Sequence, residues 1–215
     1  AVSEPTDPLR FRYVFDGWYA DESLTTPYNF SSAVNTDITI YAKWTESTEN
    51  VVLNVTVTTP ETISADDEFE VVFTMEDAVQ IAGFQYGSSA NNTQGFFYDD
   101  TKFTLTSVES GSGIFGTVSA NTTNSGTIKT WWSTTNIAHR VTGTVEFMKM
   151  NFTAASDLET GSYDVVGIAE EPKITFFTLT NSYDFDEVDE VIHTGLTTME
   201  EPEPTPAPPA PAPPA

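Results

Sequence analysis

The chain has 215 residues, with 32 Asp and Glu against 8 Lys and Arg, a formal net charge of −24 and no cysteine. Such a balance works against nucleic acid and against an anionic membrane surface, because both need clustered cations. Without cysteine there is no disulfide scaffold, Cys-based zinc site or thiol nucleophile, and 39% hydrophobic residues with 13% aromatics are too many for a disordered chain.

The acidic excess reads first as solubility. Acidic surfaces also collect Ca²⁺, but no Asp-x-Asp-x-Asp-Gly loop with a distal Glu is present. No run approaches the roughly 18 apolar residues of a membrane span. The first residue is Ala and no signal peptide precedes it, so the chain is expected to be a piece of a longer one. A cysteine-free, acidic composition rich in Thr, Ser and Asn fits exported microbial surface proteins.

Residues 1–46 form an aromatic module. Tyr13, Phe15 and a Gly17-Trp18-Tyr19 turn lead into a Pro27 loop, and Ile38, Ile40 and Ala42 alternate with Thr39, Tyr41 and Lys43 as a strand. A module this small buries little surface, and stacking on like neighbours would relieve that. Pro5-Thr-Asp-Pro, Phe15-Asp-Gly-Trp-Tyr, the Thr26-Pro27 loop and Ile40-Tyr-Ala-Lys-Trp resemble, over residues 4–44, the Listeria–Bacteroides repeat of bacterial surface proteins. The resemblance implies a small β-grasp-like unit whose aromatics are its core. The family's first strand would lie upstream of Glu4, so the repeat is expected to be N-terminally truncated.

Residues 47–50 are a polar connector. Val51, Leu53, Val55 and Val57 then alternate with polar partners as a half-buried strand. After Pro60, Phe69, Val71, Phe73 and Met75 face one way and Glu68, Glu70 and Glu76 the other. Further strands are expected at Ile81–Tyr86, Phe96–Tyr98 and Phe103–Val108, with loops at Gly87–Gly95 and Gly111–Gly126. Next come two runs, Gly126–Thr135 and Gly143–Thr153. In the first, Ile128, Thr130 and Trp132 share a face opposite Lys129, Trp131 and Ser133. The second changes phase between Phe147 and Met148, which predicts a β-bulge or apolar cover on both faces. Ser162–Ile168, Ile174–Thr180 and Val191–Thr198 complete about nine strands, the spacing of a β-sandwich. Phe185, Val188 and Ile192 are spaced as on a helix, so Tyr183–Ile192 is expected to be an acidic turn or short helix. Residues 200–215, dense in proline, read as an extended linker.

Within residues 51–199, Asp66-Asp-Glu-Phe-Glu-Val-Val-Phe, Val79-Gln-Ile-Ala-Gly-Phe-Gln-Tyr, Tyr98-Asp-Asp-Thr-Lys-Phe and Gly126-Thr-Ile-Lys-Thr-Trp-Trp stand in the order of the cohesin family, as do Thr142–Phe152 and Gly161–Val165. The resemblance, which runs over 51–198, implies a nine-stranded jelly-roll β-sandwich and a calcium-loaded dockerin as partner. The Gly87–Gly95 insertion departs from a compact cohesin strand pair, and no short motif transfers the partner-binding face to named residues.

Chemistry is sparse. His139 and His193 lack a metal-ligand partner at i+4 and read as surface histidines. No Gly-x-Ser-x-Gly elbow occurs. Asp99/Asp100 and Asp66/Asp67/Glu68 are adjacent carboxylates that point apart, which suits turns better than a glycosidase pair. No catalytic residue, cofactor or metal site is assigned. The binding candidates are Trp131 and Lys129. A large aromatic on a central strand is usually buried, and burial is the expectation for Trp131; were it exposed beside Lys129, it would stack on a sugar ring or anchor a protein. Sequons at Asn29, Asn54, Asn91, Asn121 and Asn151 matter only in a glycosylating host. The expectation is a non-catalytic extracellular binding segment of a microbial cell-surface protein. A carbohydrate-binding module on the same sandwich, or a structural stalk, is the alternative.

Overall fold

A computed structural model describes residues 2–87, 95–168, 174–179, 185–195 and 197–198. The first module is a two-stranded antiparallel sheet, β1 (Tyr13–Tyr19) and β2 (Tyr41–Glu46). Its register shifts between Phe15 and Gly17, so Gly17-Trp18-Tyr19 is bulged strand rather than the expected turn, and Gly17 takes the φ of +110° that a bulge asks of it. The second strand begins at Tyr41, leaving Ile38 and Ile40 outside it. Phe15 meets Trp18 and Trp44 edge-on at 5.3 and 5.4 Å, an aromatic knot that substitutes for a deep core.

Beyond it lies the expected all-β sandwich, its strands divided into thirteen segments among the described residues. They are β3 (Val52–Thr58), β4 (Glu68–Ile81), β5 (Gly83–Tyr86), β6 (Phe96–Phe97), β7 (Phe103–Ser110), β8 (Ser119–Asn121), β9 (Thr127–Ser133), β10 (Val141–Ala154), β11 (Gly167–Ile168), β12 (Thr175–Leu179), β13 (Phe185–Glu187), β14 (Glu190–Thr194) and β15 (Thr197–Thr198). One sheet runs β14-β3-β4-β10-β7, with β14 parallel to β3. The larger runs β13-β12-β5-β9-β6-β11-β15, with β8 beside β9. Phe185–Ile192 is therefore strand on both sides of a break at Val188 and Asp189, and the helical spacing of its apolar residues misleads; Tyr183 and Asp184 lie outside the described residues. The proline-rich stretch 200–215 and Asn91 lie outside them as well.

The two runs that flank residues 134–140 do not pair. β9 sits in the larger sheet and β10 in the smaller, and the aromatics of the two sheets meet across the core: Phe84 of β5 lies 4.9 Å from Phe147 of β10, and Phe73 of β4 lies 5.1 Å from Phe96 of β6. The phase change expected in β10 is a bulge between Glu146 and Met148, which turns both Phe147 and Met148 inward. The chain also switches sheets at the fully buried Ala82, whose N–H donates to Phe177 and whose carbonyl accepts from Thr134. Just before that switch Asp77 and Gln80 adopt positive φ, bulging β4 against β10.

The modules touch. Phe11 is buried in the sandwich's core cluster, and the Arg12 guanidinium reaches Asp186, Asp189 and the Glu187 carbonyl.

Candidate functional site

Alternation along β9 sorts its side chains. Ile128, Thr130 and Trp132 are buried against the smaller sheet, and Trp131 projects outward at 46% exposure. The expectation of a buried Trp131 is thus corrected. Parity outweighs the burial habit of aromatics here because Trp132, the next residue, already fills the inner position. Trp132 is held by its indole N–H, which donates to the Phe115 carbonyl at 2.8 Å.

Lys129 shares the outer parity but is only 7% exposed, so it does not stand beside Trp131 as a free cation. It lines a hollow of about 210 Å³ with Asn121, Thr123, Asn124 and Thr127.

Cross-strand register extends the outer face. Trp131 lies opposite Ser119 on β8 and Gln85 on β5, and Gln85 lies opposite Thr175 on β12. One row over, Ser133 faces Gly83, and Gly83 faces Phe177. A Cβ on Gly83 would lie 2.4 Å from the Phe177 ring. The glycine is therefore what lets that half-buried ring lie down on the sheet. The result is a flat face with two aromatic surfaces and a rim of hydroxyls and amides, laid on a hydrogen-bonded sheet rather than on loops. Sequence reasoning missed Phe177; its signal was the glycine inside the Ile81–Tyr86 strand pattern.

A second concavity, about 430 Å³, lies on the smaller sheet between Glu68, Glu70, Glu109 and Asn151. Its polar groups already serve one another. Asn151 donates to Ser107 and Glu109, and Lys149 pairs with Glu70 and Glu146. Glu70 accordingly raises the Lys149 ammonium above its ordinary range.

The remaining candidates are structural. Asp99 accepts from the Thr101 hydroxyl and N–H and pairs with Lys102 at 2.9 Å, which holds its carboxyl below the usual range, with the hydroxyl as the largest cause. Asp67 closes a turn by accepting from Ser64 N–H at 2.8 Å. His139 is not a lone surface histidine, since it stacks on Phe115 at 3.9 Å. His193 lies half-buried on β14. Among the described residues no group of three or more His, Asp or Glu is placed to hold a metal ion, and no helix is long and apolar enough to cross a membrane.

Comparison with known proteins gives two kinds of match. The model of the Listeria-Bacteroides repeat domain matches residues 1–43. A protein of Evansella cellulosilytica described as a Gly-rich membrane protein is 42% identical over 45 residues, and a second membrane protein of that organism is 43% identical over 44. These stretches are 20% of this chain and 5% and 7% of those proteins, so the chain spans only a small fraction of the curated relatives it matches. The sandwich has the cohesin fold. Type II cohesin A11 from Bacteroides cellulosolvens superposes with a TM-score of 0.50 at 11% identity, covering 67% of this chain and 98% of that one. A chain of the CaDoc0917–CaCohA2 complex gives 0.51 at 12% identity, covering 66% and 94%.

Proposed function

We propose that this chain is a non-catalytic binding segment of a large microbial cell-surface protein, and that the outer face around Trp131 docks a protein partner of the dockerin type. The observation that carries the reading is the exposed Trp131 indole on a central strand, beside a Phe177 ring that Gly83 admits to the same surface. An exposed tryptophan on a rigid platform is the usual anchor of a protein interface. The cohesin fold supports a binding role, and the repeat at residues 1–43, similar to segments of proteins described as membrane proteins, supports an extracellular setting at the cell envelope. Capture of calcium-loaded dockerin modules on immobilised chain tests it. At least one should bind, and Trp131→Ala should weaken that binding by about 2 kcal/mol or more, the scale of an interface hot spot. Failure of every dockerin to bind would overturn the reading.

One observation favours carbohydrate instead. Trp131 is flanked by Ser119 and Gln85, with Thr175 beyond Gln85, all uncharged hydrogen-bonding groups of the kind that read sugar hydroxyls. Binding on a broad glycan array that disappears in Trp131→Ala would select this reading. Failure of every dockerin to bind together with silence on the glycan array would leave a structural stalk.

A further inference from the structure

The two most exposed large apolar side chains among the described residues are Ile137, at 67%, and Phe115, at 65%. They sit on separate loops, residues 134–140 and 111–118, that meet through the parallel stack of Phe115 on His139. Neither loop is slack. Trp132 donates to the Phe115 carbonyl, and Gly111 and Gly113 donate to Phe147 and Glu146 at 2.9 Å. Asn136 caps the short turn Ile137–His139 by accepting from Ala138 N–H at 3.0 Å. A fixed backbone thus holds two large apolar groups in water on neighbouring loops.

A second feature lies at the end of the same turn. Arg140 is half-buried, and its Nε is enclosed without a hydrogen-bond partner. The chain carries 32 carboxylates for its 8 cations. Arg12, Lys102 and Lys149 are ion-paired, Arg10 and Lys43 lie over tyrosine rings, and Lys129 also has a contact. Arg140 has no ion pair among the described residues, and neither loop contains an Asp or a Glu. In a chain of net charge −24, two loops without a carboxylate of their own thus frame an arginine without an ion pair.

We propose that the two loops form a docking site for an acidic segment of a partner protein that also carries an apolar side chain. Its carboxylates would meet the Arg140 guanidinium, and its apolar group would cover Ile137 and the free face of Phe115. Charge complementarity selects this occupant, because Arg140 lacks a carboxylate partner among the described residues and neither loop supplies one. The site uses no residue of the Trp131 face and stands independently of the partner proposed there.

Fluorescence anisotropy of the full chain tests it, with a labelled peptide alternating glutamate and phenylalanine and its glutamine counterpart as probes. The glutamate peptide should bind about tenfold or more tighter than the glutamine peptide. Arg140→Gln and Phe115→Ser should each weaken it by about tenfold, a loss of about 1.4 kcal/mol, while Trp131→Ala leaves it unchanged. Should Arg140→Gln lower the unfolding temperature, Phe115→Ser, which alters an exposed side chain, carries the test. Absence of binding, equal binding of the glutamine peptide, undiminished binding by Phe115→Ser, or loss in Trp131→Ala would overturn the proposal.

Discussion

Replacing Arg12 with alanine removes a side chain that ties together three distant segments. Its Nε donates to both oxygens of Asp186 at 3.0 Å, and Nη1 and Nη2 reach Asp189 at 2.8 and 3.1 Å. Nη2 also donates to the Glu187 carbonyl at 2.9 Å. Asp189 in turn accepts from Val51 N–H at 2.7 Å, which brings in the connector ahead of β3. A fully exposed ion pair contributes about 0–1 kcal/mol, and a hydrogen bond to a charged group about 1.5–3 kcal/mol. Side-chain exposures of 26% for Arg12, 29% for Asp186 and 32% for Asp189 place this cluster between those limits. Loss of the whole fork should therefore cost about 2 kcal/mol, or about 4–8 °C in unfolding temperature for a domain of this size. Differential scanning calorimetry reads it directly. Two controls separate the fork from the charge and from the backbone. Arg12→Lys keeps the charge but cannot present planar paired donors, and should recover less than half the loss. Arg12→Gly should fall by about 1 kcal/mol less than Arg12→Ala, because residue 12 has a φ of +58° that strains any side chain. An Arg12→Ala protein that unfolds within about a degree of wild type, or an Arg12→Lys protein as stable as wild type, would refute the reasoning.

Two further predictions concern packing and protons. Gly83→Ala would place a Cβ 2.4 Å from Phe177 and 2.6 Å from the Trp132 carbonyl, and should destabilise by about 1–3 kcal/mol; the added Phe177→Ala change should relieve the ring clash but not the backbone one, so a double mutant as stable as Phe177→Ala alone would contradict the geometry. Asp189 is held below its ordinary 3.8, chiefly by the Arg12 hydrogen bond. Because its folded value is depressed, its share of stability is complete above that ordinary value and is lost as pH falls through the folded one. The Arg12→Ala deficit should accordingly be constant from pH 7 to about 5 and shrink below about pH 4, measured against wild type so that the chain's general repulsion cancels. A deficit unchanged in strong acid would contradict the assignment.

Local periodicity made part of this fold legible. The side-chain parity of β9 put Ile128, Thr130 and Trp132 inside, and the phase change at Phe147 and Met148 marked a bulge that turns both inward. The aromatic and turn motifs of the first module were specific enough to locate the repeat that matches residues 1–43. What escaped depends on contacts far apart in the chain. Neighbouring runs β9 and β10 belong to opposite sheets, because β10 takes its partners from β4 and β7. Arg12 meets Asp186 across 174 positions, beyond the reach of any local pattern. Phe185, Val188 and Ile192 mimic helical spacing because a break between β13 and β14 resets the phase of alternation. At the candidate site, parity alone would have exposed Trp131, and the burial preference of its residue type hid it. Phe177 could be found only by asking what the glycine at position 83 makes room for.

On the proposed reading a dockerin-type partner docks on the outer face of the larger sheet. Hydrogen exchange of the chain with and without a captured dockerin tests it most directly. Protection is predicted on Gly83–Tyr86, Thr127–Ser133 and Thr175–Phe177, with none gained on Glu68–Glu76 or Thr104–Glu109 of the opposite sheet. Protection confined to that opposite sheet, with the three predicted strands unchanged, would contradict the account.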